Sequence, residues 1–301
     1  MFSKNQFVRF ISLGAMALSL SITGCAEKKM TVAKKPAVES PKAGFLLKYN
    51  IKQGQSLNYK RSSESTQSME MMGQAMKTTS KISTDYIIKG AGTNEQNNIM
   101  AQVTINDLAI NVNSPQGPVN PDTSGLKGKS FKATYSPNGK EIEAIGFDDL
   151  PKISMGQPMA QPQSAKTYFS NLLPLLPDND LKIGDTWTTP IDEKRKQGPI
   201  ELNVKGETAS VLDGLETIQG MDCVRIKSET KSTVDGAGSA GGQNIKISGD
   251  IKATSISFFA YKEGIFVKGT VDQESTMKLN LGAMGEMPQT TKAKSTIELV
   301  Q

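Results

Sequence analysis

Apolar and polar residues alternate with a period of two through most of residues 45–301, and Ser, Thr and Lys fill many of the polar positions. Val103 and Ile105 follow this pattern, and so do Met277 and Leu279. Successive side chains of a β-strand point to opposite faces, so the period predicts strands with one apolar and one polar face. We therefore predict an all-β, mainly antiparallel domain over residues 45–301.

The alternation also predicts long strands that contain β-bulges. Apolar positions change parity between Ile105 and Leu108, and again between Ala253 and Ile256. Such a change is typical of a bulge, which adds one residue to one strand and bends it. We expect bulges at both places, the second near Thr254. Long, bulged hairpins of this kind favour a curved sheet or half-barrel.

Short turns are predicted between neighbouring strands. Ser136-Pro137-Asn138-Gly139 and Lys262-Glu263-Gly264 combine residues that tight turns favour, so we expect local hairpins at both segments. Ile51–Leu57 and Leu181–Trp187 are also similar to each other. This similarity has two explanations, a duplication of the strand-rich region or a shared composition.

One short helix is predicted near residues 165–173. Ser164 is a candidate N-cap, and Pro174 is a candidate stop signal. The helix would join two sequential strand-rich halves of the domain, residues 45–160 and 176–301.

The first 24 residues have the layout of an export signal. Lys4 and Arg9 precede an apolar stretch that runs from Phe10 to Ile22. A membrane-spanning helix needs about 20 apolar residues, so this stretch is too short to serve as a permanent anchor. We predict a cleaved signal peptide over residues 1–24.

Cys25 directly follows Ile22, Thr23 and Gly24. An aliphatic, a small polar and a glycine residue before a cysteine resemble the bacterial lipobox, in which the cysteine sulfur receives a diacylglycerol before cleavage. The resemblance implies that Cys25 is lipidated, and two or three acyl chains anchor a protein durably. The alternative is an ordinary signal peptide that happens to contain a cysteine. Ala26, in place of Asp, is similar to the pattern that directs lipoproteins of enteric bacteria to the outer membrane.

Residues 25–44 are predicted to be the lipidated cysteine and a flexible basic linker. The lysines of this segment are Lys28, Lys29, Lys34, Lys35 and Lys42, and the whole chain has a formal net charge of +5. Among Pro and Ala residues, these lysines favour a solvated spacer that holds the domain away from the lipid. A contact with anionic headgroups is the alternative.

Composition argues against catalysis. The chain has no histidine, which removes the commonest general base and the commonest transition-metal ligand. Gly236, Gly238 and Gly241 have the spacing of a dinucleotide-binding loop but lie between two predicted strands, with no helix after them. We therefore predict a non-enzymatic protein with no catalytic residue, cofactor, metal or nucleic-acid partner. Cys223 lies in an apolar run and is predicted to be a buried free thiol.

Methionine is the least ordinary component, with 14 residues in the chain. The clusters are Met69, Met71, Met72 and Met76; Met155 and Met159; and Met284 and Met287. The first and last clusters are predicted at hairpin tips, where unbranched Met can contact the protein's own sheet, an envelope protein or an acyl chain. Thioethers also suit Cu(I), so a Met-rich copper-binding protein is a weaker alternative.

Several motifs together resemble a family of bacterial envelope lipoproteins known as a domain of unknown function. They are the lipobox, Ile51–Leu57, Met72-Gly73-Gln74, Ser136–Gly139 and Leu181–Trp187. The expected bent sheet is also similar, as a distant fold analogy, to the half-barrels of the lipoprotein-localisation carriers.

These observations predict an envelope lipoprotein, held by lipid on Cys25 to the outer membrane and facing the periplasm. Its β-domain is expected to bind or scaffold a partner, either an envelope protein or an apolar ligand. The alternative function is a carrier of lipid or another apolar ligand. A carrier would require a concave apolar face and a helical lid.

Overall fold

The computed structural model shows an all-β protein. It describes residues 44–71, 74–155, 162–197, 200–240, 243–280, 282 and 285–300. The strands are β1 (Ser56–Met71), β2 (Gln74–Thr93), β3 (Ile99–Ser114), β4 (Gly117–Val119), β5 (Ser130–Tyr135), β6 (Glu141–Ile145), β7 (Thr186–Gln197), β8 (Ile200–Ile218), β9 (Met221–Ala240), β10 (Gln243–Ala260), β11 (Ile265–Asn280) and β12 (Glu286–Val300). They make up 69% of the structure, which confirms the predicted fold class.

All twelve strands belong to one antiparallel sheet. Strands β7 to β12 form a meander, β12 pairs with β1, and the sheet continues through β2, β3, β5 and β6. The short strand β4 pairs with β3. The first and last strands therefore lie side by side near the centre of an open, curved sheet whose edges are β6 and β7.

The predicted bulge in β3 is confirmed. Ile105 lies opposite Tyr86, whereas Asp107 lies opposite Asp85, so Asn106 is the additional residue. The extra residue returns Leu108 to the face on which Ile105 lies, and both side chains are buried.

The bulge predicted near Thr254 is wrong. β10 and β11 pair without interruption from Lys246 to Phe258, and the irregularity follows at Phe258 and Phe259. Ser255 and Ser257 occupy the buried positions after Ala253. Because these buried positions hold small polar residues, the sequence pattern resembled a change of parity although the strand has none there.

The predicted hairpin turns are confirmed at both segments. Gly139 donates a backbone hydrogen bond to Ser136 between β5 and β6, and Gly264 donates one to Ala260 between β10 and β11.

The similar segments before β1 and β7 form the same turn. Gly54 and Gly184 both have positive φ, and the residue after each donates a backbone hydrogen bond three residues back. In each turn a side chain closes the loop, since Gln55 accepts a hydrogen bond from the backbone of Lys52, as Asp185 does from Lys182.

The inner face of the sheet is covered at one end, which we call the plugged end. There residues 44–51, 147–155 and 162–181 pack over the strands in one core. Tyr59 stacks on Tyr86 with ring centroids 5.8 Å apart, and Phe169 meets Tyr86 edge-on at 6.1 Å. The Tyr59 hydroxyl donates to the Phe266 carbonyl at 2.7 Å, so the core joins both halves of the chain.

The helix in this connection is shorter than predicted. Helix α1 spans Lys166–Phe169, and the chain turns extended at Ser170. Asn171 then adopts a positive φ of 49°. Leu172 and Leu173 are buried outside the helix, so the apolar pattern that predicted a helix to 173 reflects packing into the core.

The opposite end, which we call the hairpin end, contains the tips of β1–β2, β7–β8, β9–β10 and β11–β12. Glycines on the inner face let neighbouring strands approach closely as the sheet curves. A Cβ atom on Gly206 would lie 2.1 Å from the Lys231 carbonyl oxygen, and one on Gly249 would lie 2.2 Å from that of Thr276.

Replacement of Gly249 with Ala should therefore destabilise the protein by about 1–3 kcal/mol, because the added methyl group must displace the backbone of β11. The matched control is Gly214→Ala, whose Cβ would have its nearest neighbour at 3.6 Å. Urea unfolding measures both free energies. Equal stability of the two variants would contradict the proposed role of the inner-face glycines.

Candidate functional site

The predicted site residues fall into two groups. Cys25, Met72 and Met284 lie outside the described residues, and Met71 is the last residue of β1. The remaining members are Met69, Met76 and Met287, which we call the methionine cluster.

The methionine cluster lies on the inner face at the hairpin end. Met69 on β1 is directly opposite Met76 on β2 and also opposite Gln289 on β12. Met287 lies two residues before Gln289 and faces Leu279. Met69 and Met287 are 7% and 5% exposed, Met76 is half-buried, and all three pack in one apolar cluster.

A depression of about 1040 Å³ opens on the opposite, polar face. We call it the trough. Its walls come from β1 to β4 and from β10 to β12, together with Asn120. The trough was not predicted from the sequence, because its residues are only the polar half of an alternating pattern and lie far apart along the chain.

Charges of opposite sign alternate across the strands that line the trough. Lys81 Nζ lies 2.6 Å from Glu64 Oε1, and Glu64 is also opposite Lys294 on β12. Lys294 Nζ lies 4.0 Å from Asp272 Oδ1 on β11. Cross-strand pairs of this kind contribute modestly to a sheet.

A second row runs beside the first. Lys292 Nζ lies 3.3 Å from Glu274 Oε1, and Lys252 on β10 is opposite Glu274. These pairs are solvent-exposed, and exposed ion pairs add little stability. The two rows therefore contribute little to stability. Their main effect is a surface that carries both charge signs.

The carboxylate of Glu64 remains ionised. The hydrogen bond and the charge of Lys81 lower the pKa of Glu64. General acids need a raised pKa, so Glu64 has the opposite electrostatic environment.

The middle of the inner face is filled by hydroxyl groups. Thr208 and Thr230 are hydrogen-bonded at 2.8 Å, and Ser210 donates to Ser228 at the same distance. Further buried polar residues of this face are Gln67, Ser232, Ser255, Ser257, Gln273 and Ser275. The side chains of the protein itself thus occupy much of the surface that an apolar ligand would need.

Cys223 is a fully buried free thiol, as predicted. Burial raises the pKa of this thiol to about 12. In the described part of the chain, no three Asp, Glu or Cys residues are grouped so that they could hold a metal ion. None of the helices among the described residues has the length and apolarity needed to cross a membrane.

No family model and no curated protein matches this chain. Among solved structures, OccK2 of Pseudomonas aeruginosa in complex with glucuronate matches with 7% identity, 86% coverage of this chain, 100% coverage of that chain and a TM-score of 0.30. For an outer membrane channel from Pseudomonas putida F1 these values are 8%, 88%, 100% and 0.19. For a DUF1329 family protein from Desulfovibrio piger they are 11%, 80%, 84% and 0.15. At such TM-scores the likenesses support no conclusion about function, and the lipoprotein resemblance stays a prediction.

We predict that a thiol reagent labels Cys223 slowly in the native protein and rapidly in urea. Only the thiolate reacts, so below pH 12 the native rate should rise by about tenfold per pH unit, apart from any contribution of unfolding. Mass spectrometry at several pH values measures the labelled fraction. Rapid native labelling at neutral pH would show that the thiol is accessible.

Proposed function

We propose that this chain is an envelope lipoprotein whose β-domain binds a polar partner in the trough and catalyses no reaction. The observation that carries the proposal is the position of the trough. It lies on the polar face, whereas the opposite face is packed with the protein's own side chains.

The lining of the trough indicates the chemistry of the partner. Rows of alternating Lys and acidic side chains complement a partner that carries both charge signs, and such complementarity favours specific association. Neutral hydrogen-bonding groups on the same face lie between the charges: Thr66, Thr79, Asn111, Asn113 and Thr254. A polar segment of another envelope protein supplies both the charges and the backbone amides that these groups recognise.

The lipid-carrier alternative has less support. A carrier needs an apolar cavity, but one end of the inner face is covered by residues 44–51, 147–155 and 162–181, and its middle is lined by hydroxyl groups. The four-residue helix α1 lies within the plugged end. Its residues Tyr168 and Phe169 belong to the core. The helix therefore forms part of the packed core and does not have the position of a lid.

Several observations support a non-catalytic role. Catalytic sites commonly contain groups whose pKa is shifted toward the working pH. Here burial in the core is the main cause that raises the pKa values of Tyr49, Tyr59, Tyr86 and Cys223. None of these residues lines the trough.

The proposed anchor determines which end of the domain lies nearer the membrane. Residue 44 enters at the plugged end, beside Leu181. The longest strands have 20 residues, which corresponds to a contour length of about 65 Å. Lipid on Cys25 would therefore tether the plugged end, and the hairpin end can extend away from the membrane.

We expect a photo-crosslinking amino acid at Thr79, in the trough, to capture a partner protein in intact cells. Thr188 on β7 is the matched control, because it is also an exposed threonine but lies outside the trough. Immunoblotting detects the crosslinked species. Capture at Thr188 alone, or at neither position, would contradict a protein-binding trough.

Replacement of Cys25 with Ala should release the protein from the membrane or arrest it as the precursor, because the lipidated sulfur is lost. Cys223→Ala should leave the membrane fraction unchanged. Fractionation followed by immunoblotting measures the distribution. A processed Cys25→Ala protein that stays fully membrane-bound would refute the lipid anchor.

A further inference from the structure

We propose that the methionine cluster is a binding site for Cu(I), with the thioethers of Met69, Met76 and Met287 as ligands. This site lies on the face opposite the trough and does not depend on the proposed partner. A failure of either proposal would therefore leave the other intact.

The fold brings these thioethers together from three strands. Met69 and Met76 are a directly opposed cross-strand pair. Met287 is diagonal to Met69, because Met69 faces Gln289 and Met287 lies two residues before it. Diagonal neighbours on one face of a sheet are about 7–8 Å apart at Cα, which long side chains can bridge. The three residues pack in the same cluster.

The chemistry of the cluster selects a soft, singly charged cation. Thioethers are neutral, polarisable ligands that favour Cu(I) over hard cations. Ile245 and Leu279 surround the cluster with apolar groups. Burial among apolar groups penalises a divalent ion more than a monovalent one, since desolvation costs rise with charge. Met76 is only half-buried, so an ion can reach the cluster from solvent at this residue.

A buried polar atom near the cluster also lacks a hydrogen-bond partner among the described residues. Gln67 lies two residues before Met69 on the same face of β1 and is 6% exposed. Its Oε1 atom has no hydrogen-bond donor among the described residues. Buried carbonyl oxygens normally have a donor, and Gln67 is the inward-facing residue of β1 next to Met69.

The experiment uses the full mature protein in detergent, under reducing and anaerobic conditions. Cu(I) bound to a chromophoric chelator is titrated with the protein, and the loss of chelator absorbance measures transfer. The double variant Met76→Leu with Met287→Leu keeps the side-chain volume and removes two ligands. We expect its affinity for Cu(I) to fall by at least about tenfold, with an unchanged melting temperature.

Met221→Leu is the matched control, because Met221 packs at the plugged end, far from the cluster. It should bind Cu(I) like the unaltered protein. X-ray absorption of the loaded protein should show a sulfur-only coordination shell. The proposal is overturned if the unaltered protein removes no Cu(I) from the chelator, if the double variant removes as much, or if oxygen and nitrogen dominate the shell. A double variant that unfolds would be replaced by Met76→Leu alone, with the same expectation of weaker binding.

Discussion

Pairing between the first and last strands holds the two halves of this chain together. β1 and β12 pair from Asn58 opposite Val300 to Met69 opposite Gln289, whereas all other neighbouring strands in the sheet order come from the same half. Without this ladder each half would expose a long unpaired edge, which readily pairs with other chains. The plugged end strengthens the junction, because Tyr59 of β1 donates its hydroxyl hydrogen bond to Phe266 of β11.

Both candidate sites straddle this same ladder. On the polar face Glu64 of β1 lies opposite Lys294 of β12, and the trough extends from there to both sides. On the inner face Met69 of β1 and Met287 of β12 pack in one cluster. Successive residues of β1 and β12 point to opposite faces of the sheet. The strands that join the two halves therefore also contribute to two chemically different surfaces.

Turn-forming residues were sufficient to predict the turns, and alternation was sufficient to predict the fold class and the bulge between Ile105 and Leu108, since each depends on the local order of side chains. It failed where the buried face is polar. Ser255 and Ser257 are buried although their composition is typical of an exposed face, so the parity near Thr254 was misassigned. The predicted helix end was wrong for a related reason, because Leu172 and Leu173 pack in the core beyond the end of the helix.

The trough could not be predicted, because it depends on which distant strands become neighbours. Its position is nevertheless coupled to the methionine cluster through the register. Along β1, Met69 faces inward and Glu64 faces the trough, since residues of opposite parity lie on opposite faces of a strand. A slip of β1 by one residue against its neighbours would move its apolar set outward and its charges inward. The buried aromatic contacts of Tyr59 at the plugged end oppose that slip. Packing at one end of the strand thus specifies the orientation of chemical groups along its whole length.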